Sequence, residues 1–147
     1  MVVLFHYRWS NKWGGRGETQ PQLMKAASVL DAPETLTYEF SKYLLSAITS
    51  DFPEHNKHLC DEALSDIERL QCGDIDAAEW GGACFLHFLT RTAVSFEHAV
   101  YGQSTAWPRW TCTLEQYRDV LLGWREFLSM PQSLETQLAV KVPARTT

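Results

Sequence analysis

Two histidines and an acid, His87, His98 and Glu97, fall in a stretch of alternating apolar residues and come nearest to an acid/base group in this 147-residue chain. On adjacent strands the two rings could meet across a sheet with the carboxylate beside them, and such a group can move a proton at physiological pH. It would still need a substrate clamp and an oxyanion donor, and neither is legible in the sequence. A histidine in an alternating strand is ordinarily a half-buried sheet residue. Nucleophilic chemistry has less support: there is no Gly-x-Ser-x-Gly elbow, and Cys60, Cys72, Cys84 and Cys112 sit in apolar surroundings without a Cys-x-x-Cys pair. His55, His58 and Cys60 are close in sequence, yet zinc takes three or four converging ligands and no second ligand pair follows. The glycines of Gly14-Gly15-Arg16-Gly17 match neither a P-loop nor a dinucleotide fingerprint. The expectation is a protein with reduced thiols and without catalytic residues, metal or cofactor.

Charge directs attention to binding instead. The net charge of −5 is unevenly spread. Residues 1–30 hold Arg8, Lys12, Arg16 and Lys25 against Glu18 alone, whereas residues 31–80 hold twelve acids against Lys42, Lys57 and Arg69. Such a field repels nucleic acid and anionic membrane, and it draws in a basic partner at a rate that falls with salt. The basic patch beside Trp9 and Trp13 is too small to reverse that. No apolar run approaches a membrane span and Met1–Tyr7 is too short for a secretory leader, so a cytoplasmic protein is expected. A hydrophobic content of 45% and a charged content of 21% suit a folded chain, and the length suits one domain over residues 1–147.

The elements that must carry these residues follow from periodicity. Val3, Phe5, Tyr7 and Trp9 alternate with Val2, Leu4, His6 and Arg8, which predicts a strand, and Ser10–Gly17 reads as a loop. Pro21 followed by Leu23, Ala26, Ala27 and Leu30 predicts a short helix over 22–30. Asp31-Ala32-Pro33-Glu34 and Asp51-Phe52-Pro53-Glu54 repeat one capping-box device and announce two helices. The first buries Leu36, Phe40, Leu44, Ala47 and Ile48. The second buries Leu59, Cys60, Ala63, Ile67 and Leu70, ends at Gly73, and is expected to pack on the first as an antiparallel hairpin. Its outer face collects Asp61, Glu62, Asp66 and Glu68, and the connector adds Asp74, Asp76 and Glu79 beside Trp80.

Period-two patterning from Ala77 to Val100 predicts strands, with Gly81-Gly82 ending a first one and Thr90-Arg91-Thr92 reversing the chain between the next two. Tyr101–Trp110 reads as a loop whose Trp107 and Trp110 either roof the core or face a partner. Thr113 and Gln116 form a capping box for a helix with Leu114, Tyr117, Leu121, Trp124, Phe127 and Leu128 inward. A strand over 134–142 follows, and residues 143–147 form a loose tail. The predicted class is α+β: an antiparallel β-meander packed against several helices in a single domain.

The run from Trp80-Gly81-Gly82 through the meander, the helix bearing Tyr117, Leu121, Trp124, Phe127 and Leu128, Pro131 and the closing strand resembles a known group. It is similar, over roughly residues 77–142, to the small immunity proteins of bacterial polymorphic-toxin and contact-dependent growth inhibition systems. Those families share no functional motif, so the resemblance implies a role and no set of binding residues. The role is that of an antitoxin that occludes the active site of a cognate toxin domain, typically a basic nuclease, by stoichiometric binding. Charge and aromatic character nominate the contacts: Glu62, Asp66, Asp74, Asp76 and Glu79 for the partner's lysines and arginines, with Trp80, Trp107 and Trp110 as anchors. The alternative is a small enzyme or ligand-binding domain using His87, His98 and Glu97.

Overall fold

Alternating bulky residues keep the N-terminal segment extended, and the sheet it starts is built on both of its edges. In a computed structural model, which describes residues 1–13 and 19–143, β1 (Val2–Trp13) pairs antiparallel with β2 (Thr19–Leu30) along its whole length. On its other edge, Val2–His6 pair antiparallel with β7 (Gln137–Lys141), giving the order β2-β1-β7. The helix predicted over 22–30 is therefore a strand. Leu23, Ala27 and Val29 lie opposite Trp9, Phe5 and Val3, so non-local pairing overrides the helical propensity of Leu, Met, Lys and Ala. Pro21 is tolerated because β2 is an edge strand. Ser10–Trp13, expected as loop, continue β1, while residues 14–17 of that expected loop, with Arg16 of the basic patch, lie outside the described residues.

Asp31 does not cap a helix. It turns the chain out of β2 with φ at 56°, and the N-cap position of α1 (Glu34–Phe40) is Pro33, which makes no side-chain cap bond. A π-helical stretch (Ser41–Leu45) and α2 (Ser46–Asp51) continue α1 without a break in the chain's course. The wide π turn lets three successive residues, Tyr43, Leu44 and Leu45, all be buried, because β2 packs on this stretch while Tyr43 stacks on Trp110 at 5.4 Å. After a 3-10 turn (Glu54–Asn56), α3 (Lys57–Cys72) buries Cys60, Ala63, Ile67 and Leu70 and stops at Gly73, whose φ of 83° is the left-handed terminator the sequence announces. Helix α3 packs on α4 rather than back along α1 and α2, so the expected helical hairpin is not formed.

The second sheet is the expected meander, in the order β3 (Ala77–Gly81), β4 (Phe85–Thr90), β5 (Ala93–His98) and β6 (Trp110–Thr113). Strand β6 has no counterpart among the predicted elements: its four residues run from the last residue of the expected loop, Trp110, to the N-cap Thr113, and they pair with Ala93–Phe96. Thr113 and Gln116 then close the capping box of α4 (Leu114–Phe127), which touches strands of both sheets and buries Tyr117, Leu121, Trp124 and Phe127. Phe5 and Tyr7 of β1 meet Phe127 at 5.7 and 5.0 Å, so the two sheets and the helices share one α+β core. The closing strand is shorter than predicted. Pro143 is tied in by the Gln116 side-chain amide donating to its carbonyl at 2.7 Å, and residues 144–147 lie outside the described residues. Among the described residues no helix is long and apolar enough to cross a membrane.

Where α4 crosses the first sheet, Gly123 leaves no room for a side chain: an added Cβ would lie 2.4 Å from Val140 Cγ2 and 3.2 Å from Phe5 Cε2. Helix propensity alone would make Gly123→Ala stabilising by about 1 kcal/mol. Overpacking against a stiff β-branched residue reverses the sign, and denaturant unfolding should show a loss of about 1–3 kcal/mol with an unchanged m-value.

Candidate functional site

The polar group deepest in the protein is one that sequence reading divided among three unrelated elements. Asp51, at the end of α2, reaches across to β4 and accepts from the backbone N–H of Cys84 at 2.9 Å and of Phe85 at 3.2 Å. It also meets His87 Nε2 at 2.8 Å, and His87 Nδ1 lies 2.8 Å from the Tyr117 hydroxyl of α4. A carboxylate only accepts, so Nε2 donates to Asp51, and Nδ1 is hydrogen-bonded to the Tyr117 hydroxyl. The side chains of His87 and Asp51 are 0% and 3% exposed, and Tyr117 is fully buried. Burial pushes the Tyr117 hydroxyl well above its ordinary pKa, which keeps it protonated. Gly82 makes room for the arrangement, since a Cβ there would fall 2.0 Å from Asp51 Cγ. Asp51 does not begin a capping box, because its carboxylate is spent on β4. Both ring nitrogens of His87 are occupied inside the core, and the trio joins α2, β4 and α4.

His98 is not part of it. The register places His98 opposite Phe85 and Phe96 opposite His87, so the two histidines do not pair across the sheet, and Glu97 lies on the other face of β5. The His98 ring packs between Tyr101 and Trp107 at 4.7 and 4.5 Å, and its Nδ1 accepts from the backbone N–H of Val100 and Tyr101, each at 3.1 Å. That bond pattern starts the turn after β5.

Trp107 and Trp110 turn inward. Trp110 stacks on Tyr43, meets Phe40 edge-on at 5.1 Å and donates to Glu39 at 3.2 Å. Trp107 packs on Phe85 and lies 4.6 Å from the Lys42 ammonium, which also donates to the Ala106 carbonyl at 2.7 Å. Of the two roles open to this segment, the rings act as the roof of the core. Tyr38, Val100 and Tyr101 are the exposed apolar residues around it.

The nominated carboxylates lie on α3, its C-terminal turn and β3, and their partners divide them into two groups. Glu62 meets His58 at 3.1 Å, Asp66 meets Arg69 at 3.6 Å and accepts from Trp80 Nε1 at 3.2 Å, and Asp76 meets Arg91 at 2.6 Å. Asp74 and Glu79 are exposed and make no ion pair among the described residues, and the same holds for Glu68 of α3, an acid outside the nominated set. Trp80 is half-buried against Phe52 and joins β3 to α3 through Asp66, whereas Glu79, its neighbour in the alternating strand, projects from the opposite face of β3, opposite Phe88. His55 and His58 are exposed whereas Cys60 is buried, and among the described residues no three potential ligands converge on a metal position. Comparison with protein-family models, with curated proteins and with solved structures gave no match.

Two outcomes follow from this geometry. Asp51→Ala strands His87 and two backbone donors and should cost about 3–5 kcal/mol, while Tyr117→Phe, which leaves only Nδ1 without a partner, should cost about 1–3 kcal/mol; both are read by denaturant unfolding. Burial pushes the Cys60 thiol up to about 11 and the Cys112 thiol higher still, whereas Cys72 is exposed. Iodoacetamide at neutral pH should therefore modify Cys72 first and reach Cys60 and Cys112 only on unfolding.

Proposed function

We propose that this chain is an immunity protein, one that binds a cognate bacterial toxin domain in a stoichiometric complex and occludes its active site. The observation that carries the reading is the run of exposed acids on α3 and its C-terminal turn, with Glu79 on the outer face of β3, where Glu68, Asp74 and Glu79 lack a cationic partner among the described residues. Carboxylates left open in this way suit the lysines and arginines with which a nuclease holds phosphates, and they speed encounter at low salt. Glu62, Asp66 and Asp76 exchange weak, exposed ion pairs for intermolecular ones at small cost. Trp80 is the aromatic contact within this surface. Trp107 and Trp110 support it only through the core.

The reading is tested in cells that express the C-terminal domain encoded immediately upstream of this chain's gene, with and without this protein. Restored growth and co-purification as a one-to-one complex are the expected result. The triple variant Asp74→Ala, Asp76→Ala, Glu79→Ala should bind at least about tenfold more slowly at low salt, and the difference should shrink as salt rises. A toxic domain that is not neutralised, or unchanged binding of the triple variant at low salt, contradicts the proposal.

A further inference from the structure

A different part of the surface has an open backbone edge beside a charged groove. Strand β7 is the outer strand of its sheet, and its pairing fixes which backbone groups are spent. Val142 N–H donates to the Met1 carbonyl at 3.0 Å, so in the antiparallel alternation Val140 and Leu138 also bond to β1, while Gln137, Ala139 and Lys141 direct their N–H and C=O groups outward. Along that edge run two cavities of about 490 and 360 Å³ that share Asp119 and Lys141. The second is walled by α4 through Asp119, Leu122 and Glu126 and floored by Leu138 and Val140. Gly123, where α4 lies close against Val140 of β7, also lines it.

The geometry points to β-strand addition at this edge: β7 accepts an extended, basic segment of a partner protein as a fourth strand, with its lysine or arginine side chains on Asp119 and Glu126. In the groove walled by α4, Asp119 and Glu126 face Lys141, and Asp31 and Met1 line the adjoining cavity. The two carboxylates beside the open edge favour a basic strand over an acidic one. Partial burial already holds the Asp119 carboxyl above its ordinary pKa despite Arg118 at 3.6 Å, and an incoming cation would relieve this. Leu122, 39% exposed on the wall of the groove, gives the strand an apolar contact. Backbone bonds supply affinity and the carboxylates supply sign selectivity. This inference goes beyond the antitoxin reading and does not depend on it.

The test uses the full chain labelled with ¹⁵N and a capped seven-residue peptide of alternating lysine and valine, with the glutamate–valine analogue as control. The expected result is a set of amide shifts and gained exchange protection confined to Gln137, Ala139, Lys141 and their neighbours on α4, produced by the basic peptide alone. Ala139→Pro removes an outward N–H without touching the ladder to β1 and should abolish binding, with Leu138 and Val140 still protected. An N-methylated peptide tests the same bond without altering the protein and should also fail. Asp119→Asn with Glu126→Gln should weaken binding at least about fivefold at low salt. The inference is overturned by unchanged β7 amides at millimolar peptide, by equal binding of the acidic analogue, or by shifts confined to the carboxylates of α3 and β3. Any of these leaves the co-expression result untouched.

Discussion

One buried carboxylate fixes how the two halves of this protein meet. Asp51 sits where the N-terminal helical run ends, and each of its bonds goes to a segment that follows much later in the chain: two backbone donors at the start of β4, and the His87 ring that passes the connection to Tyr117 of α4. A charge in a closed core is tolerable only when each lone pair has a donor, and among the described residues no buried side-chain polar atom lacks a partner. The same carboxylate determines why Gly82 must be a glycine and why the turn between β3 and β4 comes so close to α2. The positions of the meander and of α4 relative to α2 follow from these bonds.

Around that anchor the aromatic residues fill the space between elements. Tyr43, Phe85, Phe96, Trp107 and Trp110 form one connected group on the second sheet, and Phe5, Tyr7, Trp124 and Phe127 form another on the first. Trp124 links the second group to the anchor region, since its indole N–H donates to the carbonyl of Phe52, the residue after Asp51. His87, His98, Trp107, Trp110 and Trp124 are held by contacts within the fold, while the unpaired carboxylates and the open edge of β7 lie at the surface.

Elements with local determinants were legible in the sequence. The capping box of Thr113 and Gln116, the terminator Gly73, the alternation of β4 and β5 and the apolar stripes of α3 and α4 each depend on residues within a few positions of one another, and all appear in the structure. What failed was non-local. The centre of β2, Leu23–Ala27, is made of good helix formers and becomes a strand because β1 is beside it, and β6 is only four residues long, with no alternation long enough to read. Asp51 was misread because Asp-Phe-Pro-Glu satisfies a local capping rule, and no local rule reports a bond to a strand more than thirty residues away. One signal was present: a histidine on the buried side of an alternating strand requires an acceptor, and an acid at a helix end and a tyrosine in the next helix's apolar stripe were the available partners. The acidic segment was legible as charge, but its division into paired and open carboxylates depended on where Arg69, Arg91 and Arg125 fall.

Native-state hydrogen exchange at the Cys84 and Phe85 amides tests the anchoring role of Asp51 most directly. If the carboxylate clamps the turn to α2, these two amides open only with global unfolding, at the free energy of the slowest core amides, and Asp51→Asn lowers their protection before that of β5. Exchange at the rate of an exposed turn in the unaltered protein, or protection at Cys84 and Phe85 unchanged in Asp51→Asn, would contradict that role.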